Sequence, residues 1–194
     1  YAFGQARFRT GRFFAQAFLN QSDAGQTILL RSGEPIIDKS RLMVAQLQHG
    51  FNWGERQDFI YGADFQFTRP RTEGTITGAN EDDDSIDEIG GYIHSETELS
   101  SNLRLVAALR VDYHNRLEDL VYSPRAALVF EPIENQTFRL SYNRAFSTPT
   151  TNNLFLDLAA GRIPITGAIG YNVRTRGVPE NSRCITSFSD GPNR

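Results

Sequence analysis

The chain has 194 residues, with Lys+Arg 20 against Asp+Glu 23 and a formal net charge of -3, a balance that argues against a strongly basic nucleic-acid-binding surface. Hydrophobic residues make up 39% and aromatics 11%, with 14 Phe and 7 Tyr beside one Met and one Cys, so aromatics are plentiful where aliphatic core residues are not. No apolar run is long enough for a transmembrane helix, but this does not exclude a membrane β-barrel, whose strands are apolar only at every second position.

Alternation of apolar and polar residues dominates the chain and predicts eight strands, at about residues 3–9, 13–20, 42–53, 58–68, 89–99, 103–114, 122–131 and 136–143. The first is weak, because Gln5 and Arg7 alternate with Ala2, Gly4, Ala6 and Phe8 and either face could be the apolar one. In the third, His49 falls on the apolar side with Met43, Leu47, Phe51 and Trp53, in conflict with a lipid-facing surface. The fourth puts Phe59, Tyr61, Ala63, Phe65 and Phe67 on one side. The sixth is the clearest: Leu103, Leu105, Ala107, Leu109, Val111 and Tyr113 share one face, and Arg104, Val106, Ala108, Arg110, Asp112 and His114 the other.

The connections are sorted by length. Residues 10–12, 54–57, 100–102 and 132–135 are short, whereas 21–41, 69–88, 115–121 and the tail from Arg144 are mostly long and rich in Gly, Pro, Asn and Asp. Short turns at one end and long loops at the other characterise outer-membrane barrels. Pairing around Ser101 sets Leu99 against Leu103, Thr97 against Leu105, Ile93 against Leu109 and Glu98 against Arg104. Pairing around residues 132–135 sets Phe130 against Phe138, Leu128 against Leu140 and Ala126 against Tyr142. Aromatics gather at both ends of the apolar face, Trp53, Phe59, Phe130 and Phe138 near short turns and Phe67, Tyr113, Tyr122 and Tyr142 near long loops, as two girdles. A soluble β-sandwich also alternates, but it would bury these faces and has no need of connections sorted by length.

Residues 90–99, Gly-Gly-Tyr-Ile-His-Ser-Glu-Thr-Glu-Leu, followed by 103–113, resemble the barrel of TonB-dependent outer-membrane receptors. Ser123-Pro124-Arg125-Ala126 and the stretch Ser141-Tyr142-Asn143-Arg144-Ala145-Phe146 with Pro149 are similar to two phrases of that family in the same order. The resemblance implies an all-β antiparallel transmembrane barrel, of which about eight strands lie here out of a larger barrel of about 22. It further implies an N-terminal plug, contact with outer-membrane lipid, a small nutrient ligand, and a TonB energy-transducing complex engaged through the plug region. The chain starts at Tyr1 without a targeting signal, carries no plug-like region or TonB box, and stops in mid-loop at Arg194, so residues 1–194 read as a middle portion of the barrel domain. The expected function is energy-dependent uptake of a scarce nutrient across the outer membrane. The alternatives are a passive porin-like or structural barrel and, third, a secreted β-rich adhesin or enzyme.

No residue stands out as catalytic, and neither a metal site nor a cofactor motif is expected. The acidic run Glu81-Asp82-Asp83-Asp84 with Asp87 and Glu88 fails as an EF-hand: counted from Asp82, the sixth position is Asp87 where Gly is needed and the twelfth is Ile93 where Glu is needed. It reads as a solvated loop. His94, Glu96 and Glu98 share a face and are expected to pair with Arg104 and Arg110 on the next strand. Gly167-Ala168-Ile169-Gly170 is too short for a phosphate-cradling loop. Arg162, Tyr171, Arg174, Arg176 and Arg183 make the tail locally basic and read as ordinary surface charges, and Cys184 as an isolated loop thiol.

Overall fold

In the computed structural model, which describes residues 1–30, 33–166 and 169–178 and side chains outside 160–172, the chain divides into two compact units. The first comprises Tyr1–Ser22, Ser40–Arg69 and Ile86–Thr148 and holds one eight-stranded sheet. Its strands are β1 (Ala2–Thr10), β2 (Phe13–Gln21), β3 (Arg41–Asn52), β4 (Gln57–Arg69), β5 (Ile86–Ser100), β6 (Leu103–His114), β7 (Val121–Ile133) and β8 (Gln136–Asn143). All neighbours are antiparallel, and the order in the sheet is the order in the chain, the up-and-down arrangement of a barrel wall. Among the described residues no helix is long and apolar enough to cross a membrane.

The eight strands stand where alternation placed them, with several ends extended. Strand β5 begins at Ile86 because two members of the acidic run find partners on β4: Arg69 pairs with Asp87 at 2.6 Å, and Gln66 donates to Glu88 at 2.5 Å. Thr97 meets Leu105, Ile93 meets Leu109 and Glu98 meets Arg104, as expected. The register then shifts, so that Ser100 and not Leu99 meets Leu103, a bulge at the turn. In the next hairpin Phe130 meets Phe138 and Leu128 meets Leu140. The ladder breaks between Phe130 and Ile133, where Pro132 has no N–H to donate, and Asn135 closes the turn at φ 65°, a conformation Asn tolerates better than most residues.

Pairing also decides the ambiguous first strand. Phe8 lies opposite Ala15 and joins the apolar face, whereas Phe3, opposite Asn20, joins the polar one and sits 6.1 Å from the Phe18 ring. Across the sheet the apolar face is the open one: Ile93 is 47% exposed, Tyr113 46% and Leu140 77%. On the polar face Val106 and Ala127 are buried and directly paired. A soluble sandwich would cover such a surface, since each Å² left in water forgoes about 25 cal/mol, whereas a membrane barrel keeps its apolar face outward. The girdle aromatics are in place, with Phe51 stacked on Phe59 at 5.0 Å and Trp53 at 6.4 Å from Phe59. His49 stays on this face, edge-on to the Tyr61 ring at 5.6 Å, and its Nδ1 has no hydrogen-bond partner among the described residues.

The second unit comprises Asp23–Lys39, Pro70–Ser85 and Pro149–Arg194. A single helical turn, α1 (Thr151–Phe155), starts at Thr150, whose hydroxyl accepts from the Asn153 N–H. It leads into the antiparallel hairpin of β9 (Asp157–Thr166) and β10 (Ile169–Arg176). This corrects the expectation that everything after Arg144 is loop. β9 carries Gly161 and Pro164 within its length, and the register shifts twice, between Ile169 and Gly170 and between Val173 and Arg174.

Candidate functional site

The polar face of the eight-stranded sheet is built in levels. Because side chains alternate and register is fixed, Arg7, Gln16, Gln46, Asp64, Gly90 and Asp112 fall in one row across β1 to β6. The adjacent row holds Phe14, Gln48, Gly62, Tyr92, Arg110 and Ser123. Two braces span three strands each. Arg110 on β6 passes over Gly90 on β5 and grips Asp64 on β4 with both terminal nitrogens at 2.7 Å, while its Nε donates to Asp112 at 2.9 Å. Tyr92 on β5 passes over Gly62 on β4, and its hydroxyl donates to Gln48 Oε1 on β3 at 2.9 Å. Both glycines are there for close approach, since a Cβ on Gly90 would stand 2.1 Å from the Arg110 Nη2 and one on Gly62 would stand 2.7 Å from the Tyr92 ring. Along the first row Arg7 donates to Gln16 at 3.0 Å and Gln16 to Gln46 at 3.1 Å, extending the polar belt to β1.

The expected ion pairs from Arg104 and Arg110 to His94, Glu96 and Glu98 are replaced by others. Arg110 chooses Asp64 and Asp112, and Arg104 lies 3.8 Å from Glu131 although Glu98 is its partner in register. The reason for the first is geometric: a planar fork matches a carboxylate two strands away once Gly90 leaves the path open. Among the described residues no group of three His, Cys, Asp or Glu is placed to hold a metal ion.

Towards β8 the same face opens into a groove of about 660 Å³. Tyr92, His94, Arg125, Asn143, Arg144 and Phe146 line it, with Ala108 as floor between His94 and Arg125. Arg125 pairs in register with Asn143, and the Arg144 N–H donates to the Pro124 carbonyl at 3.0 Å, so alternation sets Arg144 opposite Pro124.

The acidic run divides between solvent and structure, which corrects the reading of it as wholly solvated. Asp82 and Asp83 are exposed, but Asp84 is buried and Glu81 turns inward. The Glu81 carboxylate accepts from the hydroxyls of Thr72 and Thr77 and from the backbone N–H groups of Thr72, Glu73 and Gly74, and both threonines are buried. Burial alone would raise the Glu81 carboxyl, but the hydrogen bonds from Thr72 and Thr77, together with the backbone donors, outweigh it and lower it from 4.5 to about 2. Asp157 joins this loop to the hairpin: its N–H donates to the Ile76 carbonyl at 2.9 Å, and its carboxylate accepts from Arg174 at 2.8 Å and from the Ala79 N–H at 3.3 Å. The hydrogen bond from Arg174, then that from Ala79, and the nearby charges of Arg174 and Arg176 hold the Asp157 carboxyl below its ordinary value. Arg174 and Arg176 are thus ion-paired with Asp157 rather than ordinary surface charges. Gly167, Ala168, Arg183, Cys184 and the side chains of Arg162 and Tyr171 lie outside the described residues.

A depressed folded-state carboxyl stabilises only while it is ionised. The contribution of Glu81 is therefore complete above pH 4.5 and disappears as pH falls towards 2, and Asp157 acts in the same direction. Pepsin cleavage within residues 70–85 is expected to accelerate across this window beyond the enzyme's own pH profile on an unstructured peptide. Glu81→Gln, which removes about 1 to 3 kcal/mol of charged hydrogen bonding, is expected to make the loop labile and flatten that extra acceleration.

Comparison with known proteins decides the family. The family model of the TonB dependent receptor-like β-barrel matches residues 1–183. The chain belongs to this family. No curated protein and no solved structure matches it. TonB-dependent receptors are outer-membrane transporters rather than enzymes. The residues that sequence reading missed, Asp64 and Asp112 as the partners of Arg110 and Gln48 as the partner of Tyr92, all belong to the polar face of the sheet.

Proposed function

We propose that this chain is part of the barrel wall of an outer-membrane receptor that imports a scarce nutrient with energy from a TonB complex. In this reading the plug and the remaining strands belong to parts of the protein beyond residues 1–194. The short connections face the periplasm, and the long ones, with the hairpin of β9 and β10, face outside. The family match over residues 1–183 carries the reading, and the braced, grooved polar face supports it, because a wall that must hold a plug and pass a solute needs fixed polar groups rather than mobile ones.

The whole protein reconstituted in a planar bilayer is expected to be electrically silent, as a plugged barrel is, and to bind the purified periplasmic domain of TonB. Steady open-channel conductance without TonB binding is the result of the passive-pore alternative and would overturn this function.

A further inference from the structure

In the second unit, segments that lie far apart in the sequence are joined through residues 70–85. The segment between β2 and β3 is fastened at three points. The Lys39 N–H donates to the Arg71 carbonyl at 2.8 Å, the Ile37 N–H to the Thr75 hydroxyl oxygen at 2.9 Å, and the Lys39 Nζ to Glu73 Oε1 at 2.9 Å. The Lys39 side-chain pair is about half exposed and adds little alone, so the backbone bonds carry this joint. The segment after β8 is fastened at three more points. The Asp157 N–H donates to the Ile76 carbonyl at 2.9 Å, the Ala79 N–H to Asp157 Oδ2 at 3.3 Å, and the Asn80 side-chain amide to the Phe155 carbonyl at 3.0 Å. Gly78 makes room for this second joint, because a Cβ there would stand 2.5 Å from Asp157 Oδ2. Residues 71, 73 and 75 thus serve one joint and residues 76, 79 and 80 the other, on a single turn of chain that the Glu81 carboxylate organises. Glu81 accepts from the N–H groups of residues 72–74 and from the hydroxyls of Thr72 and Thr77, and the Thr72 hydroxyl in turn accepts from the Ile76 and Thr77 N–H groups. Both threonines are buried, so releasing Glu81 leaves buried donors unpaired until the whole turn opens.

We infer that Glu81 is the keystone of a coupling device, which makes residues 23–39, 70–85 and 151–158 open and close as one cooperative unit. Whatever fastens one of these segments then steadies the other two, and whatever loosens one loosens all three. The coupling belongs to the second unit alone and holds for an energised importer and a passive barrel alike, so it stands or falls apart from the proposed function.

The test is hydrogen exchange, read by mass spectrometry on the whole protein in detergent. Glu81→Gln keeps the shape of the side chain but loses the charged acceptor, and it is expected to speed exchange about 10-fold or more in all three segments by the same factor, while β6 stays as slow as before. Asp157→Ala weakens only the second joint directly, yet it is expected to speed exchange in residues 23–39 as much as in residues 151–158. Arg12→Gln, which removes the exposed ion pair with Asp58 in the first unit, is expected to leave all three segments unchanged. Thr77→Val removes a single donor to Glu81 and provides a milder second measure should Glu81→Gln fail to fold, with a rise of a few-fold shared equally by the three segments. A rise confined to residues 70–85 in Glu81→Gln, or to residues 151–158 in Asp157→Ala, would show independent segments and overturn the proposal. So would an equal rise in β6, since Glu81 would then hold the whole fold rather than this unit.

Discussion

A methyl group at Gly62 is expected to destabilise the folded barrel more than one at Gly90, and only the Gly90 defect is expected to be relieved by removing the side chain that crosses it. At Gly90 the added Cβ meets the ends of side chains, the Arg110 Nη2 at 2.1 Å and the Asp112 Oδ1 at 2.7 Å, and these can swing away. The cost is then the loss of the Arg110 grip on Asp64, which is about 1 to 2 kcal/mol for charged hydrogen bonds that are partly open to water. At Gly62 the Cβ meets the Leu47 carbonyl oxygen at 2.5 Å as well as the Tyr92 ring, and a ladder carbonyl cannot move without disturbing β3. There overpacking adds to the lost Tyr92 hydrogen bond, for about 3 kcal/mol in all. Urea unfolding of the whole barrel in liposomes gives the cycles. Gly90→Ala should be nearly neutral in an Arg110→Ala background, a coupling of about 1 kcal/mol or more. Gly62→Ala should stay damaging after Tyr92→Ala. Full rescue at Gly62 would mean that the Leu47 carbonyl yields, and that the ring was the only obstacle.

The same braces mark the limit of what the sequence discloses. Strand existence, faces and hairpin register are all consequences of a period of two and of turn length, so they are local and legible: β6 matches its expected bounds residue for residue, and Ile93 opposite Leu109 follows from counting through the turn. The ion pairs are not local in that sense. Arg110 has Tyr92 as its partner in register, yet its fork ends on Asp64, a strand further on. Only the combination of register across three strands with the absence of a side chain at Gly90 predicts that reach, and pairwise hairpin matching never combines them. Arg125 and Asn143 belong to the two family phrases, but the groove they share follows from the β7 and β8 pairing together with the small Ala108 beside them.

In the loops the failure has a different cause. A run of carboxylates reads as solvated by composition, and Asp82 and Asp83 obey, but Glu81 is captured by hydroxyls and amides from residues 72–77. Threonine hydroxyls scattered through a loop carry no periodic signal, so this capture leaves no mark in the pattern of charges. The hairpin of β9 and β10 was hidden by its own irregularity, because Pro164 and two register shifts erase the alternation on which strand reading depends.

Leu109→Arg is expected to destabilise the folded barrel by about 2 to 4 kcal/mol, the cost of a cation on the lipid face near the midplane, with Leu105→Arg close behind. Leu109 sits in the middle of β6, opposite Ile93 and Pro124 on the open apolar face, where no water or counter-charge would meet the guanidinium. Ala108, one residue away, faces the groove between His94 and Arg125, so Ala108→Arg puts its charge in the lumen. It adds repulsion from Arg125 and crowding, but it stays hydrated, and its cost should be the smaller. Its effect should instead appear in function, by filling the floor of the groove. Denaturant unfolding of the three variants in liposomes orders them. If Ala108→Arg were the most damaging and both leucine substitutions neutral, the lipid and lumen faces would be exchanged. The aromatic girdles and the lumen groove, which depend on the same parity, would then be assigned to the wrong sides of the wall.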